Sequence, residues 1–283
     1  MNGILVVNKS KGVTSRDVVN SVCKILNTKK IGHTGTLDPI ATGVLVLCIG
    51  KATKLVEILT NDDKEYIATV KLGILTDTLD MDGKILKEEK VYVTKEKLIN
   101  ALNSFVGTYE QEVPIYSAVK IDGKKLYEYA RSGKKVNLPK RNIKIKNIEL
   151  LELNYEEYKF KVSVSKGTYI RSLIKDINEK LGIIGSMSDL KRTRQGKFNI
   201  NDSYDLEKIK NGDYKILSIN DVLKEKNSVI IDDKLFGFIK NGRILDNRYN
   251  KDIVTFVYNG DVVAIYKVYE KDKTKIKPFK MFI

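Results

Sequence analysis

The 283-residue sequence holds a single histidine, two cysteines, four prolines and no tryptophan. Cys23 and Cys48 both sit in apolar surroundings (NSVCKIL and VLVLCIG), there is no CxxC, and His33 stands alone, so the side chains of a structural zinc site are missing. One histidine also removes the Ser/His/Asp type of nucleophilic site unless His33 is its base. Gly32-His33-Thr34-Gly35-Thr36 lacks the glycine spacing and the Lys-Ser/Thr pair of a phosphate loop. Neither a metal nor a cofactor is therefore expected. The opening MNGILVVNKSKG is too short an apolar run for a signal peptide, and no stretch approaches the roughly 18 consecutive apolar residues of a membrane span. The reading is a reducing, cytoplasmic compartment with no membrane partner.

Lysine, in contrast, is abundant. The formal net charge is +15, which favours a polyanionic partner, nucleic acid or a membrane surface, although a lysine-rich genome gives the same count. Only eight of the 51 basic residues are arginine, so an arginine in this background is a better candidate for a bidentate or buried pairing than a lysine. Residues 120–147 carry ten basic residues against Asp122 and Glu128, the pattern of a solvated face or of an arm that tracks phosphates.

At roughly 150 residues per domain the length suggests two domains. Ile4 to Asn8 reads as a strand, followed by a helix capped at Thr14 or Ser15 with Val18, Val19, Val22, Cys23 and Leu26 on one face. Lys30 to Thr42 is a loop running into the continuous apolar strand Gly43 to Gly50. Tyr66 to Gly73 alternates as a strand with Tyr66, Ala68, Val70 and Leu72 on one side. Residues 95–106 place Leu98, Ile99, Leu102, Phe105 and Val106 on a helical stripe that ends at Gly107. Two strands, ELLELNY and YKFKVSVS, precede a helix with Ile170, Leu173, Ile174, Ile177 and Leu181 at helical spacing, closed by Gly182, with Arg171 in its first turn. From about residue 228 the pattern is short β-like runs with turns at Asn241-Gly242 and Asn259-Gly260. A boundary near residue 225 divides a domain over 1–225 from a small all-β module over 226–283.

Asp38 lies in GTLDPIATG. Pro39 biases it to extended dihedrals and so fixes the direction of its carboxylate, among small Gly and Thr neighbours. One reading is a rigid, exposed, ionised carboxylate; the other is an ordinary Asp-Pro turn. GHTGTLDPIATGVLVLCIGKATK resembles the catalytic motif of the bacterial TruB family of tRNA pseudouridine synthases. The likeness runs in order through ILVVNKSKGVTSRDVV, KEYIATVKLGILTDTLDMDG, VPIYSAVKIDGKKLYEYARSG and SKGTYIRSLIKDI. Lys9 is followed by Ser10 where the family usually has Pro, and IGSMSDLKRTRQG lacks a His common in that stretch.

The resemblance implies an α/β (α+β) catalytic domain on a mixed, largely antiparallel sheet, a basic RNA-gripping insertion over about 112–147, and a β-rich PUA-like C-terminal module. It implies an isomerase that detaches uracil from its ribose, turns it and rejoins it through C5, at position 55 of the tRNA T loop. Asp38 would be the catalytic carboxylate and Arg171 its cationic partner. Tyr66 would stack on the target uracil, Tyr169 line the pocket, Leu190 close its other face, and His33 contact the substrate as a ring near the flipped nucleotide. Asp80 and Lys9 would join the surrounding network, and Arg192 and Arg194 would help the basic insertion hold the tRNA backbone. The T arm of tRNA is the expected partner, and a monomer with no obligate protein partner is the expected state, with a tRNA-folding role able to coexist with catalysis. A non-catalytic RNA-binding protein on the same scaffold is opposed by the intact Asp38 loop. An RNA-guided relative is opposed by the lack of an extended tail for guide-particle proteins.

Overall fold

The computed structural model describes residues 1–223 and 227–283. The domain boundary read near residue 225 falls outside the described residues. In chain order the first part comprises β1 (Gly3–Lys9), α1 (Ser15–Ile25), β2 (Ile31–His33), β3 (Ala41–Ile49), a 3-10 turn (Gly50–Leu55), α2 (Val56–Thr60), β4 (Lys64–Leu72), β5 (Ile74–Thr76), β6 (Ile85–Glu88) and α3 (Lys95–Asn103). Then come β7 (Gly107–Glu112), β8 (Lys120–Ile121), β9 (Lys124–Lys125), α4 (Leu126–Arg131), β10 (Lys140–Leu153), β11 (Glu157–Val164), α5 (Ile170–Leu181), β12 (Gly185–Gln195), β13 (Phe198–Asn199), α6 (Leu206–Lys210) and α7 (Ile219–Leu223). After the undescribed residues follow β14 (Ser228–Ile230), α8 (Asp233–Lys240), β15 (Leu245–Asp246), β16 (Ile253–Tyr258), β17 (Asp261–Tyr269) and β18 (Asp272–Met281).

A nine-stranded sheet in the order β1-β3-β12-β4-β11-β10-β7, with β2 on β3 and β13 on β12, forms the frame. Its pairs are antiparallel except β12 with β3, so the sheet is mixed and largely antiparallel, as the family resemblance implied. Period-two alternation sends Tyr66, Ala68, Val70 and Leu72 of β4 and Tyr158, Phe160, Val162 and Val164 of β11 into one core, under α3 and α5. On the opposite face of these strands cations meet acids: Lys161, and Arg194 of the neighbouring β12, lie against Glu65, Lys159 against Glu152 and Lys71 against Glu156. The β1 and β3 strands are buried on both faces, which is why Gly43 to Gly50 reads as an unbroken apolar run.

Several elements differ from the sequence reading. The expected loop over 30–42 begins with the short strand β2, paired to β3 from Ile31↔Ile49 to His33↔Leu47. The helix over 95–106 ends at Asn103, and Val106 is exposed, because the chain must turn into β7 at Gly107, where φ is +119°. The second half of the basic stretch is a strand: Ile143, Ile145 and Ile148 of β10 point inward while the cations between them face water, so charge hid the alternation. Residues between Glu112 and Lys140 are an excursion of the β7–β10 hairpin, carrying the β8–β9 hairpin and α4.

The C-terminal region is a five-stranded sheet, β14-β16-β17-β18-β15, but it is not all-β. Asn241-Gly242, read as a turn between strands, instead stops helix α8, with the Gly242 N–H on the Ile239 carbonyl at 2.8 Å. Asn259-Gly260 is the hairpin turn between β16 and β17, both residues at positive φ as a type I′ turn requires. This sheet packs Val257, Val262, Ile265 and Phe282 against Ile4, Val44, Val46 and Leu55 of the main body. Lys51 Nζ donates to the Phe282 carbonyl at 3.0 Å, and Lys280 pairs with Glu57 at 2.6 Å. Among the described residues no helix is long and apolar enough to cross a membrane.

Candidate active site

Asp38 is set in a loop anchored from both sides. Leu37 and Ile40 are buried, so the backbone is drawn down while the carboxylate between them stays part-exposed. Ser15 at the start of α1 accepts from Leu37 N at 2.9 Å and donates to the Leu37 carbonyl at 3.1 Å. Lys9, at the end of β1 and almost wholly buried, donates to the carbonyls of Ser10, Val13 and Pro39 at 2.9, 2.6 and 3.3 Å. Burial lowers its pKa to about 8. Lys9 thus acts on the backbone beside Asp38 and makes no ion pair with its carboxylate.

Arg171 enters from α5. That helix has no side-chain cap and no acid in its first turn, where a cation is disfavoured by the helix dipole. The carboxylates come from elsewhere in the chain. Arg171 Nη2 lies 3.1 Å from Asp38 Oδ2, and Nη1 lies 3.5 Å from Asp80 Oδ2. The same guanidinium donates to the Thr78 carbonyl at 2.9 Å and to the Tyr116 carbonyl at 3.0 Å. One buried side chain therefore joins the Asp38 loop, the acidic turn and the base of the basic excursion. Asp80 is buried; its Oδ1 accepts from Thr78 Oγ1 at 2.6 Å, and burial pushes its carboxyl pKa up.

These groups line a cavity of about 750 Å³ with Tyr66, Tyr169, Leu190, Lys64, Tyr116, Tyr127 and Arg131 among its walls. Tyr66 of β4 and Leu190 of β12 reach it from adjacent strands, Leu190 paired across to Ala68. Tyr169 stands at the N-terminus of α5, its backbone held at both ends by the buried Gln111, which accepts from its N–H at 2.8 Å and donates to its carbonyl at 3.1 Å. Burial raises the pKa of both tyrosines, so each ring stays neutral. The cavity combines three aspartates, the part-exposed Asp38, the buried Asp80 and the exposed Asp82, with aromatic walls and four cations, Lys64, Arg131, Arg171 and Arg192, which suits a planar polar base attached to a polyanion.

His33 and Arg192 are placed differently from expectation. His33 is half-buried in β2, and the cavity wall begins one residue later at Thr34. Its Nδ1 is buried without a partner, and burial, then Arg16 and Arg192, lower its pKa. Arg192, read as a grip on the tRNA backbone, is 1% exposed and lines the inner wall of the cavity instead of the outer surface. Arg192 points inward because it continues the alternation of Leu190, opposite Tyr66, and a bulge between Arg192 and Arg194 then puts Arg194 on the other face, part-exposed at 3.8 Å from Glu65. Lys64, Thr78, Tyr116, Tyr127 and Arg131 also line the cavity although the sequence reading assigned them no role there.

Lys64 gives a pH test. Its ammonium is buried on the Thr60 and Asp62 carbonyls at 2.6 and 2.7 Å, and burial lowers its pKa from 10.5 to about 8. Below about pH 8 it is charged in both folded and unfolded chains; between there and 10.5 only the unfolded chain holds the proton, so its contribution to stability rises with pH. The difference in unfolding free energy between wild type and Lys64→Met, measured in urea, should therefore shift in favour of wild type across that window. A flat or falling difference would contradict the assignment.

Residues 23–170 match the model of the TruB family pseudouridylate synthase (N terminal domain), and residues 171–224 match that of the tRNA pseudouridylate synthase B C-terminal domain. The chain is 45% identical over 276 residues to the tRNA pseudouridine synthase B of Clostridium novyi, covering 96% of this chain and 93% of that protein. It is 43% identical over 277 residues to the protein of the same name from Clostridium tetani, with the same coverages. Among solved structures it is similar to the crystal structure of a Cbf5-Nop10-Gar1 complex, with a TM-score of 0.76 and 28% identity, covering 99% of this chain and 85% of that one.

Proposed function

Because the chain belongs to the TruB family of pseudouridylate synthases and isomerises uridine to pseudouridine in tRNA, we propose that it acts on uridine 55 of the T loop through the Asp38 carboxylate. The observation that carries this reading is the part-exposed Asp38 on the rim of an aromatic-walled cavity, paired at 3.1 Å with the buried Arg171. A uridine inside a folded loop reaches such a cavity only by leaving its stack, a cost of a few kcal/mol. Stacking on Tyr66, worth about 1–3 kcal/mol, offsets part of it. Leu190 and Tyr169 bound the same space, and Asp38 supplies the reacting carboxylate while Arg171 balances its charge and aims it under the bound base. His33 supports the loop that leads to Thr34, which the cavity geometry favours over direct contact with the flipped base.

The relatives support a stand-alone enzyme over a guide-particle subunit: identities of 43–45% lie with proteins named tRNA pseudouridine synthase B, against 28% for the chain in the Cbf5-Nop10-Gar1 complex. A monomer without an obligate protein partner, working in the cytoplasm, fits this reading. The excursion between Glu112 and Lys140 would hold the RNA over the cavity, and the C-terminal module after residue 226 would bind further along the backbone as a PUA-like domain. Incubation of unmodified tRNA with the protein alone, followed by chemical mapping, should give pseudouridine at one T-loop uridine. Product at another position, or only with an added guide RNA, would overturn the reading.

Lys134 and Lys135 are exposed on the excursion. If each neutralises one phosphate, replacing both with Gln lowers the slope of log affinity against log salt by about 1.4–1.8, from roughly 0.7–0.9 per contact. Filter binding across a salt series measures this; an unchanged slope would place the backbone elsewhere.

A further inference from the structure

We propose that Arg192 is a positioning residue that sets the spacing between the Tyr66 ring and the Asp38 loop, a role that rests on the function proposed above. Arg192 is fully buried in β12, and among the described residues no carboxylate forms an ion pair with it. Its Nη2 donates to the Gly35 carbonyl at 3.1 Å, its Nη1 to Gln195 Oε1 at 3.4 Å, and its Nε is buried with no hydrogen-bond partner. Interiors rarely keep a cation on such terms, since a buried charge without a paired acid is destabilising relative to an apolar or neutral residue of similar size. Packing alone does not account for it.

The contacts say what it holds. Arg192 Cζ lies 5.8 Å from the centroid of the Tyr66 ring, and Arg192 pairs with Tyr66 across β4 on one side and with Gly43 of β3 on the other. Gly43 is at φ +99°, and a Cβ there would fall 2.3 Å from the Arg192 carbonyl oxygen, so the two backbones meet where only glycine fits. From this fixed base the guanidinium lies against the ring of Tyr66 and, through Gly35, holds the loop three residues before Asp38. A planar fork can face a ring and reach a carbonyl at once; an ammonium keeps the charge and loses the second direction. Gln195 holds the next link, donating to Thr34 Oγ1 at 2.6 Å and to the Leu59 carbonyl at 3.0 Å.

The test uses the full chain, unmodified tRNA and three variants: Arg192→Lys, Arg192→Gln and Arg192→Lys combined with Tyr66→Leu. Melting temperature, tRNA affinity and single-turnover pseudouridine formation are measured for each, with Tyr66→Leu alone as reference. Arg192→Gln removes the unpaired charge and keeps a planar donor, so it should melt no lower than wild type. Both single Arg192 variants should bind tRNA within a few-fold of wild type and form product on the order of 100-fold more slowly, the effect of about 1 Å of misplacement at a reacting centre. The double variant should be little slower than Tyr66→Leu alone, because both changes disturb the same ring. Wild-type rates in Arg192→Lys and Arg192→Gln, fully multiplicative effects with Tyr66→Leu, or rate losses that merely follow lowered melting temperatures would each overturn the proposal. Absence of product with wild-type protein would instead overturn the function on which it rests.

Discussion

Asp38→Asn should bind unmodified tRNA with nearly wild-type affinity and form no measurable pseudouridine, a loss of about 10⁴-fold or more. The substitution is close to isosteric, and the loop around it is held by groups that do not involve the carboxylate: Ser15 on the Leu37 backbone, Lys9 on the Pro39 carbonyl, and the buried side chains of Leu37 and Ile40. The fold and the electropositive surface therefore remain. What disappears is the ionised oxygen 3.1 Å from Arg171, and an amide can neither act as a nucleophile of comparable strength nor accept a proton in its place. Single-turnover assays with chemical mapping, beside filter binding, separate the two readouts. Turnover within 10-fold of wild type would remove Asp38 from the reaction.

Arg171→Met should be the second most severe change, and it should affect stability as well as rate. Removing the guanidinium leaves Asp80 buried without its cation and withdraws donors from the Thr78 and Tyr116 carbonyls. Breaking a buried pair in this way costs about 3–5 kcal/mol, and the Asp38 half of the contact is discounted because that carboxylate is 39% exposed. A stability loss of about 3 kcal/mol is expected, eased at low pH, where Asp80 takes up a proton more readily in the folded chain than in the unfolded one. Arg171→Lys retains the charge but not the fork, so it should fold better than the Met variant while product formation stays depressed by on the order of 100-fold. Calorimetry at neutral and acidic pH, with single-turnover rates, checks both parts; a Lys variant with wild-type rate would show that charge alone suffices.

How much of the fold and site is legible in the residues alone differs from place to place. The inward place of Tyr66 is, because Tyr66, Ala68, Val70 and Leu72 of β4 are buried at period two, although Thr69 between them is buried as well; its role as a stacking ring comes from the family resemblance. Arg171 is, because an arginine in a lysine-rich chain stands in the first turn of a helix that offers it no acid. Arg192 is not, because KRTR looks like a surface run, and the bulge that separates the inward Arg192 from the outward Arg194 leaves no mark in residue types. The end of β10 is legible as the strand ELLEL, but its first part, from Lys140 to Ile148, is obscured by the very charges that sit between its buried isoleucines. The Tyr116 carbonyl and the Gln111 clamp on Tyr169 are contacts to backbone atoms, which a side-chain pattern does not encode. Helix α8 escapes because eight residues beside strong β runs carry too short a period to separate from a turn.

The outer face of the central sheet, where Lys161, Lys159 and Lys71 are matched by Glu65, Glu152 and Glu156, bears on how an RNA finds the cavity. Matched charges cancel beyond a Debye length of about 8 Å at physiological ionic strength. A polyanion arriving from that side meets little long-range attraction, while one arriving over the excursion meets an unbalanced positive field. Diffusional encounters are thereby sorted by orientation before any contact forms, and fewer collisions end in a complex facing the wrong way.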